Sequence, residues 1–161
     1  MEECIREFIR CSGHPNVKAD HRTTFEITTD SYLTTCGTCI VGIDSDKGAA
    51  ALSDAFKSAL ARDEAVLRTT LEGGGHSCII LSKGSEKMNL SHPTDLVWRM
   101  SEYVCDRTVG ICSDMPASGI PRPLIEWLKK GNPMTVKMEV FSRPEEETPS
   151  FQLLQGLFHT P

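Results

Sequence analysis

The sequence predicts an α+β fold in which one β-β-β-α-β unit is used twice, giving a mixed, barrel-like β core with two helices. Three observations predict it. Two long stretches match each other at a nearly constant offset, which is the mark of an internal repeat. Within each copy, apolar and polar residues alternate with the period of a strand. Near the end of each copy, apolar residues take up helical spacing instead.

The repeat is read by placing His21 over His92, an offset of 71. Gly13 then meets Gly84, Thr23 meets Thr94, Tyr32 meets Tyr103, and no gap is needed from Phe8 to Leu33. At an offset of 68, Val41-Gly42-Ile43-Asp44-Ser45-Asp46 meets Val109-Gly110-Ile111-Cys112-Ser113-Asp114. The units run over about 4–72 and 77–141, joined at Gly73-Gly74-Gly75. The expected domain is 1–142. Beyond it, 143–161 reads as an acidic linker around Glu145-Glu146-Glu147 and a short apolar tail with Phe151, Leu154 and Phe158.

Taken in order, the first strand of each unit is the apolar run around Ile5, Phe8 and Ile9, matched by Cys78-Ile79-Ile80-Leu81. The second is long and alternating. Val17, Ala19, His21, Thr23, Phe25 and Ile27 share one face, and Met88, Leu90, His92, Thr94, Leu96 and Trp98 share its counterpart. Pro93 cannot donate to a ladder, so that strand is expected at an edge or bulged there. Third strands are expected near Thr38–Asp44 and Arg107–Cys112. A helix follows with Leu52, Ala55, Phe56, Ala59 and Leu60 on one stripe, and a second with Leu124, Trp127 and Leu128, stopped by Gly131. Last strands are expected over Ala65–Leu71 and Met134–Phe141. Packed about a pseudo-two-fold, the units would close, or nearly close, a barrel. Two sheets face to face are the alternative.

The formal net charge of −5 argues against generic nucleic-acid binding, which needs a basic face. No stretch approaches the roughly 20 apolar residues of a membrane span. The N-terminal residues lack the pattern of a secretory signal, so a cytoplasmic protein is expected. Seven cysteines, an odd count, favour free thiols.

Gly13-His14-Pro15-Asn16-Val17, His21-Arg22-Thr23-Thr24-Phe25-Glu26-Ile27-Thr28, Ser91-His92-Pro93-Thr94-Asp95 and Tyr103-Val104-Cys105-Asp106-Arg107-Thr108 together resemble the mainly archaeal "domain of unknown function 371" family over about residues 5–141. The resemblance implies a small cytoplasmic protein and carries over no activity or cofactor. The family's Gly-Asp before the third strand is Gly37-Thr38 here, while the second unit keeps an acid, Asp106. At the level of fold alone, the unit is similar to those of double-psi and other cradle-loop barrels.

The candidate chemistry centres on His21-x-Thr23 and His92-x-Thr94. If the halves pack about a two-fold, both imidazoles would line a shared cleft, able to move protons or hold a metal. The competing reading is structural, with each histidine fixing its strand through a neighbouring threonine or the backbone. His21, His92, Asp95 and Asp106 are the candidate catalytic groups. His14, Arg22, Thr23, Thr94, Arg99 and Arg107 are the candidate ligand-binding groups, the arginines offering planar forks suited to carboxylate or phosphate. Cys36-Gly37-Thr38-Cys39 has the spacing of a redox pair or half a zinc site, but it precedes a strand and has no second copy, which favours incidental cysteines. No phosphate loop or nucleophile elbow is present. The expected function is binding of a small anionic or phosphorylated ligand where the two units meet, with turnover as a further step. A non-enzymatic protein- or RNA-binding module is the alternative, and a metal-dependent hydrolase a weaker third. Nothing in the sequence names a cofactor or an oligomeric state.

Overall fold

The computed structural model describes residues 3–142, so the acidic linker and apolar tail expected beyond them lie outside the described residues. Eight strands and two α-helices follow one another as β1 (Glu3–Ser12), β2 (Thr24–Thr28), β3 (Ile40–Gly42), α1 (Asp54–Leu60), β4 (Val66–Gly73), β5 (His76–Lys83), β6 (Asp95–Arg99), β7 (Thr108–Gly110), α2 (Arg122–Lys129) and β8 (Pro133–Ser142). A short 3-10 turn precedes each helix, at Ala49–Ala51 and Ala117–Gly119. Two sheets result. The first is antiparallel throughout, in the order β1-β8-β4-β5, and the second runs β3-β2-β6-β7. In the second, β2 and β6 pair antiparallel at the centre, while β3 lies parallel to β2 and β7 parallel to β6.

The chain therefore makes two sheets, the arrangement weighed as the alternative, rather than the closed or nearly closed barrel expected. Single bridges, Ser12 with Ile43 and Lys83 with Ile111, are what join the sheets at their corners. The physical reason is that β3 and β7 are only three residues long and the chain then turns sharply. Asp44 (φ 52°) and Cys112 (φ 49°) sit in the left-handed region just beyond them, which ends any ladder.

One apolar core lies between the sheets. Ile9, Val136, Leu67 and Ile80 face it from the first, and Phe25, Ile27, Leu96 and Trp98 from the second. Phe25 and Trp98 are register partners and stack with ring centroids 4.6 Å apart. The Trp98 indole N–H, fully buried, donates to Thr69 Oγ1 at 2.9 Å, so the deepest polar group of the core is satisfied. Phe56 and Leu60 of α1 and Leu124 and Leu128 of α2 join the same core. Ser53 caps α1 by accepting from Phe56 N–H, and Glu7, inward-facing and buried, accepts from Ser53 N–H at 2.6 Å while Lys47 neutralises it. Ala55, expected on the buried stripe of α1, is exposed, and Leu52 is buried just ahead of the helix. At the other end, Gly131 (φ 80°) terminates α2. The β4–β5 turn is Gly74-Gly75, both left-handed, with the Trp127 ring so close that a Cβ on Gly74 would lie 2.5 Å from it.

The two long alternating segments are the main departure from expectation. Only Thr24–Thr28 and Asp95–Arg99 are strand, and the residues ahead of them are loop. The alternation is real, because Val17, Ala19, Met88 and Leu90 are all buried. It records anchoring rather than pairing. Ala19 and Leu90 both have φ of 49°, a conformation no ladder accepts. Their loops bond elsewhere: Asp20 and His21 N–H to Thr38 C=O, Ser91 and His92 N–H to Asp106 C=O. Pro93, expected at a strand edge or bulge, lies in such a loop ahead of β6, where its missing donor costs nothing. Among the described residues no helix is long and apolar enough to cross a membrane.

Candidate functional site

The side of the second sheet that faces away from the core carries Thr24, Glu26 and Thr28 from β2 and Asp95, Val97 and Arg99 from β6. Strand alternation put the apolar partners inward, so these six point outward together. The loops before and after the strands cover them. Glu26 and Asp95 are each only 8% exposed.

Asp95 is the hub. Its Oδ1 accepts from Thr28 Oγ1 at 2.8 Å and Thr94 Oγ1 at 2.9 Å, and its Oδ2 faces Arg107 at 3.0 Å. His92 Nε2 lies 3.9 Å from the same Oδ2. Burial works against ionisation of Asp95, but the bonds from Thr28, Thr94 and Arg107 outweigh it and hold its carboxyl below the ordinary value. Glu26 is the opposite case. Burial and the neighbouring Asp95 charge push it up to about 7, and Arg107, 3.7 Å away, offsets only part of that. A thiol, Cys39, faces Glu26 Oε1 at 3.8 Å, and burial together with Glu26 pushes it up to about 11. One buried carboxyl stays ionised near neutrality, and its neighbour takes up or gives off its proton in that same range. Arg107 bridges the two, and its side chain is 39% exposed.

The other end of the β2–β6 pair is built differently. Arg99 donates to Thr108 Oγ1 at 3.0 Å and to Cys105 Sγ at 3.4 Å, and stacks over Tyr103 at 4.9 Å. Among the described residues all these partners are neutral or a thiol. Burial would raise the Cys105 thiol, but the Arg107 backbone N–H, the Thr108 hydroxyl and Arg99 bring it below its usual value.

Of the residues predicted from sequence, Asp95, His92, Thr94 and Arg107 come together. His21 does not join them. Thr24 pairs with Arg99 and Thr28 with Asp95, so His21 flanks one end of the pair and His92 the other, the two ends about 13 Å apart along the strands. The shared cleft between the two imidazoles is thus not formed. Both histidines are only partly buried. His21 Nδ1 accepts from Thr23 N–H at 3.3 Å, and His92 Nδ1 from Thr94 N–H at 3.2 Å and Asp95 N–H at 2.9 Å. In His14 the Nδ1 likewise accepts from Asn16 N–H, a local turn outside the cluster. Arg22 and Thr23 are exposed on the His21 side. Asp106 is exposed and contributes its backbone carbonyl, which anchors the His92 loop. Cys36 is exposed while Cys39 turns toward Glu26. Cys105 borders β7, at the far edge of the sheet from β3, about 14 Å from where Cys39 enters. No group of three or more His, Cys, Asp and Glu side chains that could hold a metal occurs among the described residues.

Glu26, Thr28 and Cys39 escaped the sequence reading as site residues. For Glu26 and Thr28 the signal available was their place on the polar side of the β2 alternation, while Cys39, just ahead of β3, was visible only through its Cys-x-x-Cys spacing. What joins them to Asp95 is the β2–β6 register, which periodicity does not reveal.

The same site lies within the region that known proteins share. A protein of Methanocaldococcus jannaschii, described as uncharacterised, is 39% identical over 132 residues, covering 82% of this chain and 97% of that protein. The family model described as "Domain of unknown function (DUF371)" matches residues 9–141, which takes in both strands of the site and every loop around it. With nearly all of its folded length matched, the chain belongs to the DUF371 family.

Proposed function

We propose that this protein binds a small anionic ligand on the outer face of β2 and β6 and exchanges a proton with it through Glu26 and Asp95. The observation that carries the reading is the buried carboxyl pair on neighbouring strands, bridged by Arg107. Two carboxyls whose surroundings drive their proton affinities apart are suited to acid and base roles at neutral pH. Glu26, protonated, is the acid, and Asp95, ionised, the base. Arg107 and His92 stand between the pair and solvent and would receive the anionic group. Arg99, whose partners carry no carboxylate, adds positive potential along the same face.

Two further readings go with this one. The halves repeat the order of three strands, a 3-10 turn, a helix and a strand, and their left-handed residues match as Ala19 with Leu90 and Asp44 with Cys112. These matches support an origin by internal duplication, and on that reading the site lies between strands of the two copies. A cytoplasmic setting is supported by seven unpaired cysteines.

The test is a thermal-shift titration against inorganic phosphate and a panel of small phosphorylated and carboxylated compounds. A true ligand at about a hundred times its Kd adds roughly 2.7 kcal/mol of stability. The expected result is a rise in Tm that Arg107→Lys and Asp95→Asn both remove while each variant keeps its circular dichroism spectrum. A rise that persists in both variants would refute the assignment.

A further inference from the structure

We propose that the open face of the first sheet binds single-stranded nucleic acid, with Phe8 as the platform on which a base stacks. This surface is separate from the β2–β6 site and does not depend on it. The helices share the core with the inward side of that sheet, and the outward side presents Phe8 with 55% of its surface exposed. Among the described residues Phe8 is the exposed aromatic ring that stands on a strand, whereas Tyr32 and Tyr103 lie in loops.

The register fixes what surrounds the ring. Phe8 pairs with Lys137, and Lys137 with Thr70. One step along the strands, Arg6 pairs with Glu139, and Glu139 with Arg68. One step the other way come Arg10, Thr135 and Glu72. Phe8, Thr70, Glu72, Thr135 and Lys137 line a shallow depression of about 190 Å³. Its wall is one aromatic ring, and its rim has two hydroxyls, a carboxylate and an ammonium, the donors and acceptors that the edge of a base engages. Arg6 and Arg10 lie on the same side of β1 as Phe8, each about 7 Å from it along the strand. Buried Glu139 holds Arg6 through Nε at 2.9 Å, which fixes that side chain while its terminal nitrogens remain to donate. The Arg10 side chain has no ion pair among the described residues and is exposed. Arg6, Arg68 and Lys137 share the one carboxylate of Glu139, so that with Arg10 this face keeps a surplus of positive charge over Glu72 and Glu139, in a chain whose net charge is −5. A lone ring among cations fits a stacked base flanked by phosphates. It does not fit a protein partner, which would call for a wider apolar patch.

The experiment is fluorescence anisotropy of end-labelled ten-nucleotide single strands, RNA and DNA in turn, with the full chain at low salt. Binding is expected to weaken roughly 5- to 150-fold in Phe8→Ala, the range for loss of one base stack, and to survive in Phe8→Trp. In Arg10→Gln, affinity should fall and the slope against salt should drop by about one phosphate contact. Lys129→Gln, a cation on α2 away from this face, should bind as the parent does. Three outcomes would overturn the proposal: no binding to either strand, equal binding by Phe8→Ala with an unchanged circular dichroism spectrum, or equal Phe8-dependent affinity for polyglutamate.

Discussion

The loops around His21 and His92 are built alike and end differently. Each folds back on the carbonyl of a residue just ahead of a short edge strand, Thr38 in one case and Asp106 in the other. Each uses imidazole Nδ1 to accept a backbone N–H two residues on. In the first the chain continues with Thr23-Thr24, in the second with Thr94-Asp95. That difference supplies a buried carboxylate, on which Thr28, Thr94 and Arg107 converge at a single end of the β2–β6 pair. The histidine turn is thus a device of the scaffold, used twice, whereas neither buried carboxyl is repeated: Asp95 has Thr24 at its matched position, and Glu26 has Val97.

This comparison is open to direct challenge, most sharply at the scaffold. Gly13 and Gly84 are matched positions pressed against matched carbonyls. A Cβ would lie 1.9 Å from Leu128 O in the first case and 2.1 Å from Leu60 O in the second. Alanine at either should cost about 3 kcal/mol and by similar amounts, read from urea midpoints. A large inequality would show that the halves are not architecturally equivalent.

The next effect separates the two ends by pH. Because the folded pKa of Glu26 is about 7 and its ordinary value 4.5, the folded state holds the extra proton between these values. Its contribution is therefore fullest below pH 4.5 and is lost as pH rises toward 7, a change of about 3 kcal/mol. Asp95 has the opposite sign. Its lowered pKa stabilises above the ordinary carboxylate range, and that contribution goes as pH falls through the folded value. Glu26→Gln should flatten the fall in stability toward neutrality and leave the acid limb in place. If the parent shows no decline between pH 5 and 7, the proton does not reside on Glu26.

Smaller effects follow from deleting each counterpart. Asp95→Ala strands Arg107 and two hydroxyls and should cost about 2 kcal/mol, discounted because Arg107 is partly solvated. Thr24→Ala, at the matched position, should cost about 0.5 kcal/mol. Last come the histidines. His92→Ala removes the acceptor for two N–H groups and should cost about 1 kcal/mol, against about 0.5 kcal/mol for His21→Ala. Equal costs would mean that the Asp95 N–H bond at 2.9 Å adds nothing.

Much of this architecture was legible because local pattern and global fold agree. The strands β1, β4, β5 and β8 and both helices lie where periodicity and Gly131 placed them. The loops at 13–23 and 84–94 were misread because burial alternates there for a different reason: Val17, Ala19, Met88 and Leu90 are anchors of an irregular chain whose N–H groups bond elsewhere. At the site, Asp95 and Arg107 were legible as charged residues near a histidine. Glu26 was not. Its significance depends on which strand lies beside β2, and pairing between distant strands leaves no mark in either one's own periodicity.

Strand β1 draws its ladder from β8 along its whole length, Glu3 opposite Ser142 and Ser12 opposite Pro133. The loops repeat this crossing, with Ser118 donating to the His21 carbonyl and Ala50 to that of His92. For a chain leaving the ribosome at 5 to 20 residues per second, the first strand made therefore waits about ten seconds for the last. Until then its ladder edge and its apolar face are both unpaired. Both β1 and β4 of the first half take β8 as a ladder partner, so the first half cannot complete its sheet from its own strands, although the sequence is written unit by unit. The edge of β1 therefore stays open to other strands until β8 has been made, and only then does the fold tie the two together.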